Sequence, residues 1–226
     1  MSSFVKQLED VVAEEWAKIR SGYFFETAQE EFSRELYVRV MKEIYHYTKN
    51  NSINQAAAAF AEDYRKVKLL RFAYKHAMEE LGHENMIVRD LDSIGVGYDE
   101  IVSQSPLPAT QALNGYLYSI AVREGVIPRL GYSFWAEEAY DHIQPVLDSA
   151  RRSLNLSDDQ MTFFVAHSAI DEKHSEEVRA VIDEWVRTDE ERAAVIETAR
   201  TTLFLTGQIL DQAAAACAQV DARQVA

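Results

Sequence analysis

The sequence predicts an all-α protein, a single domain of seven or eight helices over residues 1–226. Three observations carry that prediction. Only 8 glycines and 4 prolines occur in 226 residues, too few breakers for the many tight turns of an all-β chain. Apolar residues recur three and four apart along almost every segment. Neither a composition shift nor a long linker divides the chain.

The elements follow in order. Residues 3–20 place Phe4, Leu8, Val11, Val12, Trp16 and Ile19 on one face, and Ser21-Gly22 ends the run. A second helix is expected over 26–48, on the stripe Phe32, Leu36, Val40, Ile44 and Tyr47. The polar tract NNSIN at 50–54 is expected to break it, and Ala56 begins a third. A long fourth helix is expected from Arg65 to Leu91, stopped by Gly95 and Gly97. SQSPLP at 103–108 reads as a loop, and the pattern is helical again from Ala109 to Ala150, with Pro128 a kink or a joint. In LNLSDDQ at 154–160, Ser157 and Gln160 stand at the capping-box offset and open a helix running to Thr188. A last helix covers 189–217, and the tail from 218 is expected to fray.

Composition narrows the partners. A formal net charge of −14 repels nucleic-acid backbones and anionic membranes at long range, so a small molecule is the expected partner. Cys217 is the single cysteine, which excludes an intramolecular disulfide and a cysteine-only metal site. The opening MSSFVKQLEDVVAEEW is amphipathic and acidic, and no apolar run spans a bilayer, so a cytoplasmic location is expected.

Two of the six histidines bracket HSAIDEKH at 167–174. On an α-helix, His167, Asp171 and His174 fall within about 60° of arc, so their side chains converge. In KHAMEELGHEN, Glu80 and His83 form an i, i+3 carboxylate–imidazole pair, and Asp171 and His174 repeat that offset. A further carboxylate is expected from GYSFWAEEAYDH. There the inward stripe of Trp135, Ala136, Ala139, Ile143, Val146 and Ala150 favours Glu138, with Glu137 the alternative. Such a nitrogen- and oxygen-rich set suits iron or manganese better than a structural zinc. His76 and His142 read either as donors behind such ligands or as ordinary buried histidines, and His46 as a packing residue. Tyr118, Phe134, Trp135 and Phe163 are candidates for the wall of an apolar pocket or plain core.

EELGH at 79–83, FWAEEAY at 134–140 and HSAIDEKH at 167–174, with ALNGYLY at 112–118, resemble the haem-oxygenase-like di-metal oxidases and oxygenases, whose fold is TenA-like. The resemblance implies the seven-helix haem-oxygenase-like fold and homodimerisation. It implies Glu80, His83, Glu138, His167, Asp171 and His174 as ligands of two Fe(II) ions per chain, or Mn, with O2 as co-substrate. The implied chemistry is oxidative decarboxylation, C–C cleavage or N-oxygenation of a fatty or amino acid, for whose carboxylate Lys173, Arg123 and Arg129 are the nearest cations in sequence. Haem is not expected, because no histidine precedes His46. Thiamin-salvage enzymes of this fold use a mid-chain cysteine, which Cys217 does not match. Two alternatives stand beside this reading, a non-catalytic helical ligand-binding protein of the same fold and a ferritin-like di-iron protein.

Overall fold

A computed structural model describes residues 3–30 and 32–224, without the side chains of 29, 30, 167–172 and 220–224. Among the described residues all regular structure is helical. The helices are α1 (Ser3–Arg20), α2 (Tyr23–Glu30), α3 (Arg34–Ala58), α4 (Val67–Glu79), α5 (Glu84–Ser93), α6 (Tyr98–Ser103), α7 (Pro108–Glu124), α8 (Val126–Ala136), α9 (Ala139–Leu154), α10 (Thr162–Trp185) and α11 (Asp189–Gln224). Short 3-10 turns occupy Ala59–Ala61 and Asp158–Gln160. No helix among the described residues is long and apolar enough to cross a membrane.

More helices appear than the seven or eight expected, because several expected runs are jointed. Ser33 starts a new helix by accepting a hydrogen bond from the Leu36 amide, which separates α2 from α3. The expected fourth helix divides at Gly82, whose φ of +96° is a left-handed conformation that a side chain resists. Gly125 joins α7 to α8, and Pro128 sits in the first turn of α8, where its missing N–H interrupts no helical bond. Conversely, NNSIN does not break α3. Asn50 and Asn54 donate to the carbonyls four residues earlier, and Ser52 donates to Ala77 O, so the tract is held by its own side chains and by α4.

The predicted capping box on Ser157 and Gln160 forms, but it closes only the 3-10 turn. The helix that follows is started by Asp90 of α5. This fully buried carboxylate accepts from the Thr162 amide at 3.0 Å, the Thr162 hydroxyl at 2.6 Å and the Phe163 amide at 2.9 Å. α5 thereby sets the position of α10.

At the centre lies α8, buried from Val126 through Trp135. It packs closely on α11, since a Cβ on Gly131 would stand 2.1 Å from Val195 O. Trp135 Nε1 donates to Thr202 Oγ1 at 2.8 Å and ties the end of α8 to the same helix. Around α8 one continuous apolar core joins residues from Phe4 to Ala214. α3, α4, α8 and α10 face one another across its polar interior, where the chemistry-bearing side chains meet.

Candidate metal centre

α4 turns Leu69, Ala73, His76 and Ala77 inward, so Glu80, one turn after His76, follows the same buried face. The helix stops there. Residues 80–83 form a turn rather than the single helix expected for an i, i+3 pair, and His83 stands at the start of α5. α8 likewise ends at Ala136, leaving Glu137 on the inward path and Glu138 at the first turn of α9. α10 brings His174 from the opposite side.

One nitrogen each from His76 and His174 and one oxygen each from Glu80 and Glu137 all lie within 4.8 Å of one another. Among the described residues, this is the group of donors that could hold a metal ion. Glu137 Oε1 stands 2.9 Å from His76 Nε2, and Oε2 stands 3.3 Å from His174 Nδ1. Glu80 Oε1 is 3.8 Å from His174 Nδ1, and its Oε2 is 3.4 Å from His83 Nδ1. His174 Nδ1 is buried and has no hydrogen-bond partner although carboxylate oxygens surround it, an arrangement suited to a shared cation. Two carboxylates and imidazoles form a hard donor set, and the residues therefore fit iron or manganese.

Electrostatics keep the carboxylates ionised. Burial pushes Glu137 up, but the imidazoles of His174 and His76 close beside it outweigh that and hold the carboxyl down at about 2. In Glu80 burial also raises the value, and the His83 contact turns the net shift downward. His83 is raised by Glu80, and His174 by Glu137. A metal binding at these imidazoles would displace their protons.

Of the residues singled out in the sequence, Glu80 and His174 lie in this cluster and His83 touches Glu80. Glu138 lies apart from it. Its Oε1 accepts from Ser175 Oγ at 2.9 Å and from Arg179 Nε at 3.0 Å, and Arg179 also reaches Glu9. The helical phase that favoured Glu138 is lost at the α8–α9 joint. His167 and Asp171 are on α10, but their side chains lie outside the described residues. His76, left open in the sequence, belongs to the cluster; its signal was the i, i+4 spacing to Glu80. His142 instead stacks on Trp16 at 4.9 Å between ring centroids, with Arg20 against its Nδ1.

Behind the cluster lies Arg129, only 2% exposed, near enough to Glu80 and Glu137 to feel their charge but in no ion pair with a carboxylate among the described residues. It donates to Asn54 Oδ1, Gln55 Oε1 and Asn51 Oδ1, each at 2.7 Å, and to Ser133 Oγ at 3.0 Å. Burial pushes the guanidinium down to about 10, so it stays charged at neutral pH.

Glu80 and Glu137 open onto a chamber of about 140 Å³, also lined by Thr48, Asn51, Tyr132 and Tyr140. A second lobe of about 100 Å³ lies beside it between Trp16, Phe24, Phe32 and Met41. Both lobes share Ile44, Tyr47, Trp135, Ala139, Ile143 and Phe164 as walls. Trp135 and Phe163 thus face the chamber, whereas Phe134 lies under Arg179, and Tyr118 donates to Asn50.

A family model described as iron-containing redox enzyme matches residues 38–207. No curated protein matches the chain. Among solved structures, a domain of unknown function with a heme oxygenase-like fold from Shewanella denitrificans is 40% identical, with a TM-score of 0.87 over 92% of this chain and 91% of that one. A TenA homologue from Pseudomonas syringae, 13% identical, superposes with a TM-score of 0.77 over 93% of this chain and 92% of its own. Heme oxygenase from Leptospira interrogans, 17% identical, does so at 0.69 over 93% of this chain and 100% of its own. The fold is haem-oxygenase-like.

Proposed function

Because this chain belongs to the iron-containing redox enzyme family, we propose that it is an O2-dependent non-haem di-iron oxidase or oxygenase acting on a substrate with an apolar chain, a fatty acid before an amino acid. The observation that carries the reading is the acid–imidazole cluster opening directly onto a two-lobed, largely apolar chamber. Glu80, Glu137 and His174 would hold metal, with His83 beside Glu80. His167 and Asp171 complete the set through the motif they share with His174. Glu137 takes the place that sequence phase favoured for Glu138, whose carboxylate is engaged by Arg179. When bound, iron supplies the redox chemistry that activates O2 towards the substrate.

The chain's own residues position and shield. Ile44, Trp135, Ile143 and Phe164 would enclose an apolar chain and exclude water between the two lobes. Burial raises the phenols of Tyr47 and Tyr132, so both stay protonated beside the carboxylates. No lysine or arginine lines the acidic lobe among the described residues, and Arg129 is committed to its amides. Arg123 and Lys173 are exposed. A substrate carboxylate would therefore find its counter-charge at the metals.

Oxygen uptake by the anaerobically Fe(II)-loaded protein tests this reading, across fatty acids of graded length and a set of amino acids. A fatty acid is expected to accelerate uptake with a length optimum. Absence of iron-dependent uptake with every substrate would refute the proposal.

A further inference from the structure

Arg129 sits behind the metal-binding carboxylates and touches neither, yet two hydrogen-bonded arms lead from it to them. Along one arm, Arg129 donates to Asn51 Oδ1 at 2.7 Å, and Asn51 Nδ2 donates to Glu80 Oε2 at 3.2 Å. Along the other, Arg129 donates to Gln55 Oε1 at 2.7 Å, and Gln55 Nε2 stands 2.6 Å from His76 Nδ1. His76 Nε2 then lies 2.9 Å from Glu137 Oε1. Gln55, His76 and Arg129 are at most 3% exposed, so water does not substitute for these partners.

A guanidinium has only donors and keeps its proton in proteins, so each amide must turn its oxygen to Arg129 and its NH2 the other way. For Gln55 this choice has a consequence on the next ring. Its NH2 needs an acceptor at 2.6 Å, which requires His76 Nδ1 to be unprotonated, and a neutral imidazole then carries its proton on Nε2. A protonated Nε2 cannot ligate a metal. Turning the Gln55 amide to permit the other tautomer would set its NH2 against the Arg129 guanidinium, donor to donor. The contact from Nε2 to Glu137 Oε1 is short but bent, since Nε2 lacks a hydrogen-bond partner by geometry. The soft terminal torsion of a glutamate carboxylate is enough to straighten it.

We propose that Arg129 is a positioning residue for the metal centre, acting through Asn51 on Glu80 and through Gln55 and His76 on Glu137, and that His76 is a hydrogen-bond donor to Glu137 rather than a metal ligand. His76 thereby occupies Oε1 of Glu137 and leaves Oε2, the oxygen beside His174, for the metal. The proposal rests on the cluster being a metal centre, but the tautomer is a property of the metal-free protein as well.

The test is nitrogen-15 NMR of the histidine rings, in chelator-treated and Zn(II)-loaded protein, with the His76 signal assigned by its loss in His76→Gln. The Nε2–H tautomer is expected for His76 in both states, while His174 moves on Zn(II) binding. Gln55→Glu keeps a partner for Arg129 but offers His76 Nδ1 an acceptor, and is expected to switch the tautomer. In Zn(II) titrations, His76→Gln, which retains a donor towards Glu137, should stay within about threefold of wild-type affinity, and His76→Ala should lose about 10- to 100-fold with unchanged stoichiometry. An Nδ1–H tautomer in the metal-free protein, a metal-bound Nε2 signal, or the loss of a bound ion in His76→Gln would overturn the proposal. If wild type binds neither Zn(II) nor Fe(II), the metal-centre reading fails instead, and the metal-free spectrum still decides the tautomer.

Discussion

Replacing Glu137 by glutamine removes a buried negative charge that His76 and His174 stabilise, and the resulting change in acid stability follows from the site. The carboxyl is held at about 2 against an ordinary 4.5, which favours the folded, metal-free protein by about 3 kcal/mol at neutral pH. Because the folded value is the lower one, the contribution is complete above about pH 4.5 and is lost as the pH falls towards 2. Urea unfolding of chelator-treated wild type and Glu137→Gln at pH 6, 4.5 and 3 measures it. Wild type is expected to lose about 2 kcal/mol more than the variant between pH 6 and pH 3, so the two curves converge in acid. Parallel pH dependences would show that Glu137 is not held by its imidazoles and would refute the electrostatic account of the cluster.

Three further outcomes follow from the structure. Asp90→Ala should cost about 2 kcal/mol in urea unfolding, since it removes three hydrogen bonds that begin α10; an unchanged midpoint would show that α10 is placed by packing alone. Ile143 walls both lobes, so Ile143→Trp is expected to abolish acceleration of O2 uptake by long fatty acids while leaving iron content intact; retained acceleration would place the chain elsewhere. On the outer face of α4 and the turn after it, Tyr74, Met78 and Leu81 are 54%, 71% and 59% exposed, a stripe proposed to seat a second copy, so Met78→Glu should convert a dimer to monomer in sedimentation. Wild type sedimenting as a monomer would remove that assignment.

The helical class was legible because its signals are summed over the whole chain: few breakers, and apolar spacing that Phe4 through Ile19 display in one run. Joints were not legible in the same way. A break such as that after Ala136 leaves composition unchanged but resets helical phase, and Glu137 exchanged places with Glu138 on that account. In the centre, Glu80 and His174 were readable from motif spacing. Asn51 and Gln55 were not, because a polar tract reads as a helix breaker until Arg129 is known to lie against it, and Arg129 comes from a helix far along the chain. His76 carried a local signal, since it precedes Glu80 by one turn on a face otherwise given to Leu69, Ala73 and Ala77. Asp90 had none; its partners at Thr162 and Phe163 are set by the packing of α5 on α10.

Bound iron reports directly on whether Glu80, Glu137 and His174 hold metal. Wild type and a Glu80→Ala, Glu137→Ala, His174→Ala variant would be loaded anaerobically with Fe(II), desalted, and assayed for bound iron, with circular dichroism confirming that both are folded. About two irons per chain are predicted for wild type and none for the folded variant. A wild-type protein that retains no iron, or a variant that retains as much as wild type, would contradict the account.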